Sequence, residues 1–465
     1  MVNITAYQNY VDALTKKLRI GESFDVVKRP MPLSDGRMCT MFYIDNFVDT
    51  QTMERVLEFI IEYRDISKLE YTVPFVELLK TTDTDKAVTK ILSGGTAFMM
   101  EGMDIMIIIF CRHYPNRSVE EPENEKVLKG PRDGFGESMV VNTILVRRRI
   151  RDPNLTFKVI SAGKKTKTDI AVSYIDGKVD KKFLDIVIKK LEGIDLESVS
   201  FGEQSIAEQL VKTRWYNPFP KVRFTERPDS AAAMLIEGSI VIISDNTPEV
   251  LILPTASFDF LQEADDFYLP PFTATYFRIV RLFILILTLY LLPLWYMLIR
   301  NPHLIPPGLD FIKVEDTPAI PVIFQIFIVE LIIDGLKIAS LNTPKALGSS
   351  FSVIAGLILG DMAVNIGWFT PEVILYLAII TIANFTQPSY ELGYALKFMR
   401  LIMLVLTAVF NIWGFAAGAV IVFLLIVSNK TVDGSRGYLY PLIPWNGRAM
   451  KRFFVRVRLK DKSSP

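Results

Sequence analysis

Leu282–Ile299 reads LFILILTLYLLPLWYMLI, eighteen residues without a charge. Arg278 and Arg281 precede it and Arg300 follows it. A bilayer core of about 30 Å needs an apolar helix of about 20 residues, so this run predicts a membrane span. Pro293 inside it is a candidate kink. Upstream, residues 1–275 carry charges every few positions, as a soluble protein does; downstream, residues 276–429 are mostly Leu, Ile, Val, Phe, Ala and Gly. The whole chain of 465 residues is 50% hydrophobic. Its mean hydropathy is +0.29, which argues for a membrane part. The first twenty residues hold no apolar core of a cleavable signal, so the first span is expected to act as the insertion signal.

Further apolar segments follow at Phe324–Ser340, Phe351–Phe369, Val373–Gln387 and Leu396–Ser428. The last is too long for one span, since a helix rises about 1.5 Å per residue. It is expected to turn near Asn411-Ile412-Trp413-Gly414, giving about six segments in all, or four spans if two of them are re-entrant. With six, Lys345, Lys397, Arg400 and the basic tail fall in inner loops, and only Arg300 and Lys313 fall outside. That distribution matches the positive-inside rule and puts both termini in the cytoplasm. The tail, rich in Lys and Arg, could also meet anionic lipid head groups.

The second of these segments, FQIFIVELIIDGLKIAS (324–340), carries Glu330, Asp334 and Lys337. Spaced by four and three, they share one face of a helix. Such a stripe either lies in the membrane interface or faces a wet path among helices, where intramembrane charges are functional by default. The two carboxylates could serve monovalent cations. Asp361 and Asn365, four apart, form a second polar stripe. Gly356 with Gly360, and Gly414 with Gly418, fit the spacing that lets helix backbones approach.

The soluble part alternates strand and helix patterns, predicting two α/β (α+β) subdomains over 1–127 and 128–270. They precede a helical transmembrane domain over 271–429 and a tail over 430–465. A helical stripe runs over 50–63, and TAFMM (96–100) and DIMIIIFCR (104–112) flank a hairpin turn at Glu101-Gly102-Met103. In the second subdomain Glu137 lies near a helix start and Arg147, Arg148 and Arg149 near its end, an order that suits the helix dipole. The arginine triplet is either a solvated helix end or a functional feature, an anion site or an interdomain clamp.

Several function classes are poorly supplied. Cys39 and Cys111 are the only cysteines and two histidines the only imidazoles, so neither a disulfide framework, a metal site nor His-based acid–base chemistry is expected. P-loop, GxSxG and HExxH motifs are missing, so no enzyme and no cofactor are expected. A net charge of +1 gives no reason to expect a nucleic-acid partner.

GPRDGFGESMVVNTILVRRRIRDPNL (130–155) resembles the pattern of the A subunits of bacterial spore germinant receptors, through Gly130, Pro131, Arg132, Phe135, Glu137, Asn142, Thr143 and Arg147–Arg149. KTKTDIAVSYIDG (165–177) and IAGLILGDMAV (354–364) are similar to the same family. PSYELG (388–393), EVILYLA (372–378) and YLYPLIPWNGRAMK (438–451) look most like its stage V sporulation protein AF branch, as does Asp361 in place of the glutamine expected in nutrient-receptor subunits. The resemblance implies a protein of the spore inner membrane that acts in germination. It implies oligomeric subunits of a gated ion channel, soluble domains on the cytoplasmic side, and other germination membrane proteins as partners. A non-conducting scaffold or a nutrient-sensing subunit is the alternative.

Overall fold

Met106–Phe110 (MIIIF) and Thr96–Met100 (TAFMM) are apolar on both faces of the strand, and both are almost wholly buried. A strand of that kind needs cover on both sides of its sheet, and the fold supplies it. The computed structural model describes residues 4–45, 47–62, 77–112, 125–127, 129–199, 202–211, 214–314, 319–342, 356, 363–434 and 437–456. They fall into two units: Met1–Thr213 with Val222–Thr255 and Thr431–Gly434, and Arg214–Lys221 with Ala256–Lys430 and Ser435–Pro465.

The first unit holds two sheets. Strands β1 (Val26–Pro32), β2 (Met38–Ile44), β3 (Glu77–Thr81), β4 (Thr96–Met100) and β5 (Met106–Phe110) pair in the order β1-β2-β4-β5-β3. Helices α1 (Ile4–Lys17) and α3 (Thr84–Ile91) cover one face through Leu14, Leu18, Ala87 and Ile91. Helix α2 (Thr50–Glu62) covers the other through Met53, Val56 and Ile60. Strands β6 (Leu155–Ala162), β7 (Thr168–Ile175), β8 (Arg223–Thr225), β9 (Ile240–Ser244) and β10 (Val250–Leu253) pair in the order β6-β7-β9-β10-β8. Renumbered, the two orders are identical, and every pairing in both sheets is antiparallel. Helices α4 (Met139–Arg149) and α7 (Pro228–Glu237) pack on one face of the second sheet. Helices α5 (Lys181–Glu192) and α6 (Gly202–Leu210) pack on the other.

Local chemistry sets the helix ends. Asp83 and Asp180 accept hydrogen bonds from the first free backbone N–H groups of α3 and α5. Pro228 opens α7, and Gly238 closes it at φ 101°. A Cβ on Gly238 would lie 2.9 Å from the Lys178 carbonyl oxygen, so no other residue fits there without movement.

The second unit is helical. Among the described residues, two of its helices are long and apolar enough to cross a membrane by length and composition: α8 (Pro271–Arg300) and α11 (Tyr390–Val427). Between them lie α9 (Val322–Asn342) and the shorter apolar α10 (Pro371–Phe385), and α12 (Gly447–Phe454) follows. Helix α11 is not one rod. Asn411 has φ 55° and ψ −130°, which breaks the helix. A Cβ on Gly414 would lie 1.8 Å from the Leu406 carbonyl oxygen, and one on Gly418 would lie 2.8 Å from Met403 Cγ. In a straight helix Gly418 and Met403 would be about 22 Å apart. The chain therefore doubles back at Asn411 into two antiparallel arms.

The turn is held by the end of α8. Asn301 and Asn411 exchange amide hydrogen bonds of 2.6 and 2.9 Å. Arg300 Nη1 donates to the carbonyls of Thr407 (2.9 Å) and Ala408 (2.5 Å), just before the break. The first arm of α11 thus runs parallel to α8 and the second returns. The end of the bundle where α8 starts is termed the near end, and the end at Asn301 and Asn411 the far end.

Candidate functional site

Glu330 and Asp334 stand on one face of α9, and Lys397 and Arg400 stand one turn apart on the first arm of α11. The two helices run antiparallel, so the four charges interlock. Lys397 Nζ lies 2.9 Å from Glu330 Oε2 and 2.5 Å from Asp334 Oδ2. Arg400 Nη2 lies 2.5 Å from Glu330 Oε1, and its Nη1 donates at 2.9 Å to the carbonyl of Thr288 on α8. Glu330 is 5% exposed, Lys397 3% and Arg400 2%. The charges are buried, and they tolerate burial because each meets its opposite.

Further toward the near end the cluster opens. The Asp334 side chain keeps 31% of its exposure, and its Oδ1 has no hydrogen-bond partner among the described residues. Lys337 Nζ sits 4.9 Å from the ring centre of Phe385 and 5.3 Å from that of Tyr394, two cation–π contacts. Glu330 is therefore turned against α11, while Asp334 and Lys337 are only partly buried.

Lys397 and Arg400 were not part of the candidate site read from the sequence, which places them in an inner loop. They lie inside α11, about two and three turns from its start. A signal was present: their spacing of three complements the spacing of four between Glu330 and Asp334.

The other candidate residues are scattered. Asn365 is exposed in the single turn Ala363–Asn365, and five residues on Thr370 N donates to Gln325 Oε1 of α9 at 2.9 Å. Asp361 and Gly360 lie outside the described residues. A Cβ on Gly356 would meet nothing within 4 Å among the described residues, whereas Gly414 and Gly418 both lie in the tight contact between the arms of α11.

In the first unit the arginine triplet splits three ways. Arg147 is 1% exposed and grips Asp25 through Nε at 2.7 Å and Nη2 at 3.1 Å, while also donating to the carbonyls of Asp152 and Leu155. Asp25 borders β1 and Arg147 closes α4, so this pair ties the two sheets' neighbourhoods together. Arg149 pairs with Asp133 at 2.5 Å, and Arg148 is exposed. Glu137 precedes α4 and is exposed; its carbonyl accepts from Asn246 N at 2.7 Å. Asp245, not Glu137, caps the start of α4 by accepting from Met139 N at 3.0 Å.

Known proteins share this sequence over nearly its full length. The Bacillus/Clostridium GerA spore germination protein family matches residues 13–464. Stage V sporulation protein AF of Bacillus subtilis (strain 168) is 37% identical, with 95% of this chain and 90% of that protein aligned. Spore germination protein KA of the same organism is 30% identical, over 96% of this chain and 83% of that protein. The crystal structure of the N-terminal domain of the A subunit of the Bacillus megaterium spore germinant receptor GerK3 aligns at TM-score 0.40 and 25% identity, over 52% of this chain and 92% of that one. By a match that runs almost from end to end, the chain belongs to the GerA family of spore germination proteins.

Proposed function

We propose that this chain is a subunit of an oligomeric, gated ion channel of the spore inner membrane, which releases monovalent cations during germination. The observation that carries the reading is the buried cluster of Glu330, Asp334, Lys397 and Arg400 inside an otherwise apolar helical unit. Each charge in such surroundings costs about 2.5–3.5 kcal/mol on insertion scales, so a fold without a use for them does better with apolar residues. In this reading Asp334, Lys337, Asp361 and Asn365 border the ion path. Glu330 is the latch that holds α9 to α11 in the closed state. In this reading the six apolar segments expected from the sequence are six crossings. The near end faces the cytoplasm, because Arg278, Arg281 and the basic residues of α12 stand there.

Flux of monovalent cations from liposomes holding the purified full chain tests this. Asp334→Asn is expected to change the flux severalfold with the fold intact, and Glu330→Gln to raise leak. An absence of flux from a folded, oligomeric wild-type preparation would overturn the channel. The second reading, a non-conducting scaffold for other germination membrane proteins, is favoured by the closure of the Glu330 pairs within a single chain. It expects co-purifying partners and no flux.

A further inference from the structure

At the near end, α12 is pinned to the start of α8. Arg278 Nη1 donates to the carbonyls of Arg452 (2.9 Å) and Phe453 (3.1 Å). Phe453 packs edge-on against Phe258 with ring centres 4.9 Å apart. Arg278 itself is fixed by Asp266, at 3.1 Å. The apolar run of α8 begins at Leu282, one turn further on. Helix α12 is therefore held at the level where the apolar part of α8 ends.

What α12 presents outward is specific. Arg448, Lys451 and Arg452 are exposed. Just before them Ile443 is 46% and Trp445 69% exposed, although both are apolar. No acidic residue occurs anywhere between Gly434 and Lys460. A second aromatic stands at the same end: Trp215 is 96% exposed on the loop Arg214–Lys221. That loop is anchored to the end of α11, with Asn217 Nδ2 donating to the Leu425 carbonyl (3.0 Å) and to Asn429 Oδ1 (2.9 Å). It also meets the tail, where Tyr438 donates to the Pro220 carbonyl at 2.7 Å.

Exposed tryptophans beside exposed basic side chains that have no ion pair among the described residues, fixed at the end of apolar helices, fit one partner: a bilayer surface bearing negative phospholipid head groups. Indole rings settle at the head-group level, and each Lys or Arg near an anionic surface contributes about 1 kcal/mol, roughly fivefold in affinity. We infer that α12 and the loop Arg214–Lys221 form a docking collar for anionic phospholipids, with Arg448, Lys451 and Arg452 on the phosphates and Trp445, Ile443 and Trp215 seated among the head groups. This rests on the membrane reading of the proposed function and adds a lipid preference to it.

The test is titration of phosphatidylglycerol or phosphatidylcholine into the detergent-solubilised full chain, with binding read by fluorescence anisotropy of a labelled lipid. Wild type is expected to prefer phosphatidylglycerol, with affinity falling as salt rises. The combined Arg448→Gln, Lys451→Gln and Arg452→Gln variant is expected to bind it roughly a hundredfold more weakly. Arg448→Lys with Arg452→Lys keeps the charge and is expected to keep the preference. Equal affinity for the two lipids, retention of the preference by the Gln variant, or equal competition by soluble glycerol 3-phosphate would overturn the inference. Carbonate extraction of membranes from cells making each variant separates the two readings. A chain that washes off removes the membrane reading itself, whereas one that stays but shows no lipid preference removes only the collar.

Discussion

Glu330 and Arg400, seventy positions apart, meet at 2.5 Å between Oε1 and Nη2, and Lys397 closes the other side of the same carboxylate at 2.9 Å. One acid thus holds two cations of a neighbouring helix, and all three groups are buried.

Removing that acid leaves Lys397 and Arg400 buried without it. Glu330→Gln is expected to lower the stability of the full chain in detergent by about 3 kcal/mol, because an unpaired buried charge keeps its desolvation cost. Adding Arg400→Met to Glu330→Gln is expected to recover at least half of that loss. Denaturant unfolding of the two variants checks both; a double variant as unstable as the sum of its parts would show that the pair is uncoupled.

The hairpin of α11 makes a graded prediction at its two glycines. A Cβ on Gly414 meets the Leu406 backbone carbonyl at 1.8 Å, and backbone cannot step aside. Gly414→Ala is expected to cost about 3 kcal/mol or to open the hairpin. A Cβ on Gly418 meets the flexible Met403 side chain at 2.8 Å, so Gly418→Ala is expected to cost about 1 kcal/mol. Thermal unfolding in detergent ranks them, and equal effects would contradict the geometry.

The Arg147–Asp25 clamp depends on the fork of the guanidinium. Arg147→Lys retains the charge but cannot reach both Asp25 oxygens and the carbonyls of Asp152 and Leu155 together. A loss of about 2 kcal/mol is expected, with proteolysis in the first unit rising in parallel. Resistance equal to wild type would mean that the clamp does not hold the two sheets' neighbourhoods together.

Burial pushes the Cys39 thiol up to about 12 and the Cys111 thiol up to about 11, with the Asp49 charge adding to the latter. Raised values keep both groups protonated at pH 8, and the thiolate is the reactive form. At pH 8 neither is expected to react with a maleimide until the first unit is unfolded. Rapid labelling of the native chain at that pH would contradict their burial.

Much of the architecture was legible because it is local. The alternation of strand and helix patterns marked the soluble part, and the uncharged run at Leu282–Ile299 marked α8, since periodicity and composition depend only on neighbours in sequence. The break at Asn411 was also legible, as a span too long for its purpose. The helix Ile4–Lys17 and the strands β1, β3 and β6 were not singled out, because their weak patterns gain their meaning from the sheets they complete.

What the amino-acid sequence determined by itself was the inventory: two α/β parts, an apolar helical part, and three charges along one face of α9. Which groups those charges would meet was decided only by tertiary structure. Lys397 and Arg400 look like loop residues until the antiparallel packing of α9 on α11 brings them opposite Glu330 and Asp334. Arg147 looks like a solvated helix end until folding delivers Asp25 from 122 residues away. A side chain's type and spacing are written along the chain, but its partner depends on which faces come together, and that is a property of the whole fold.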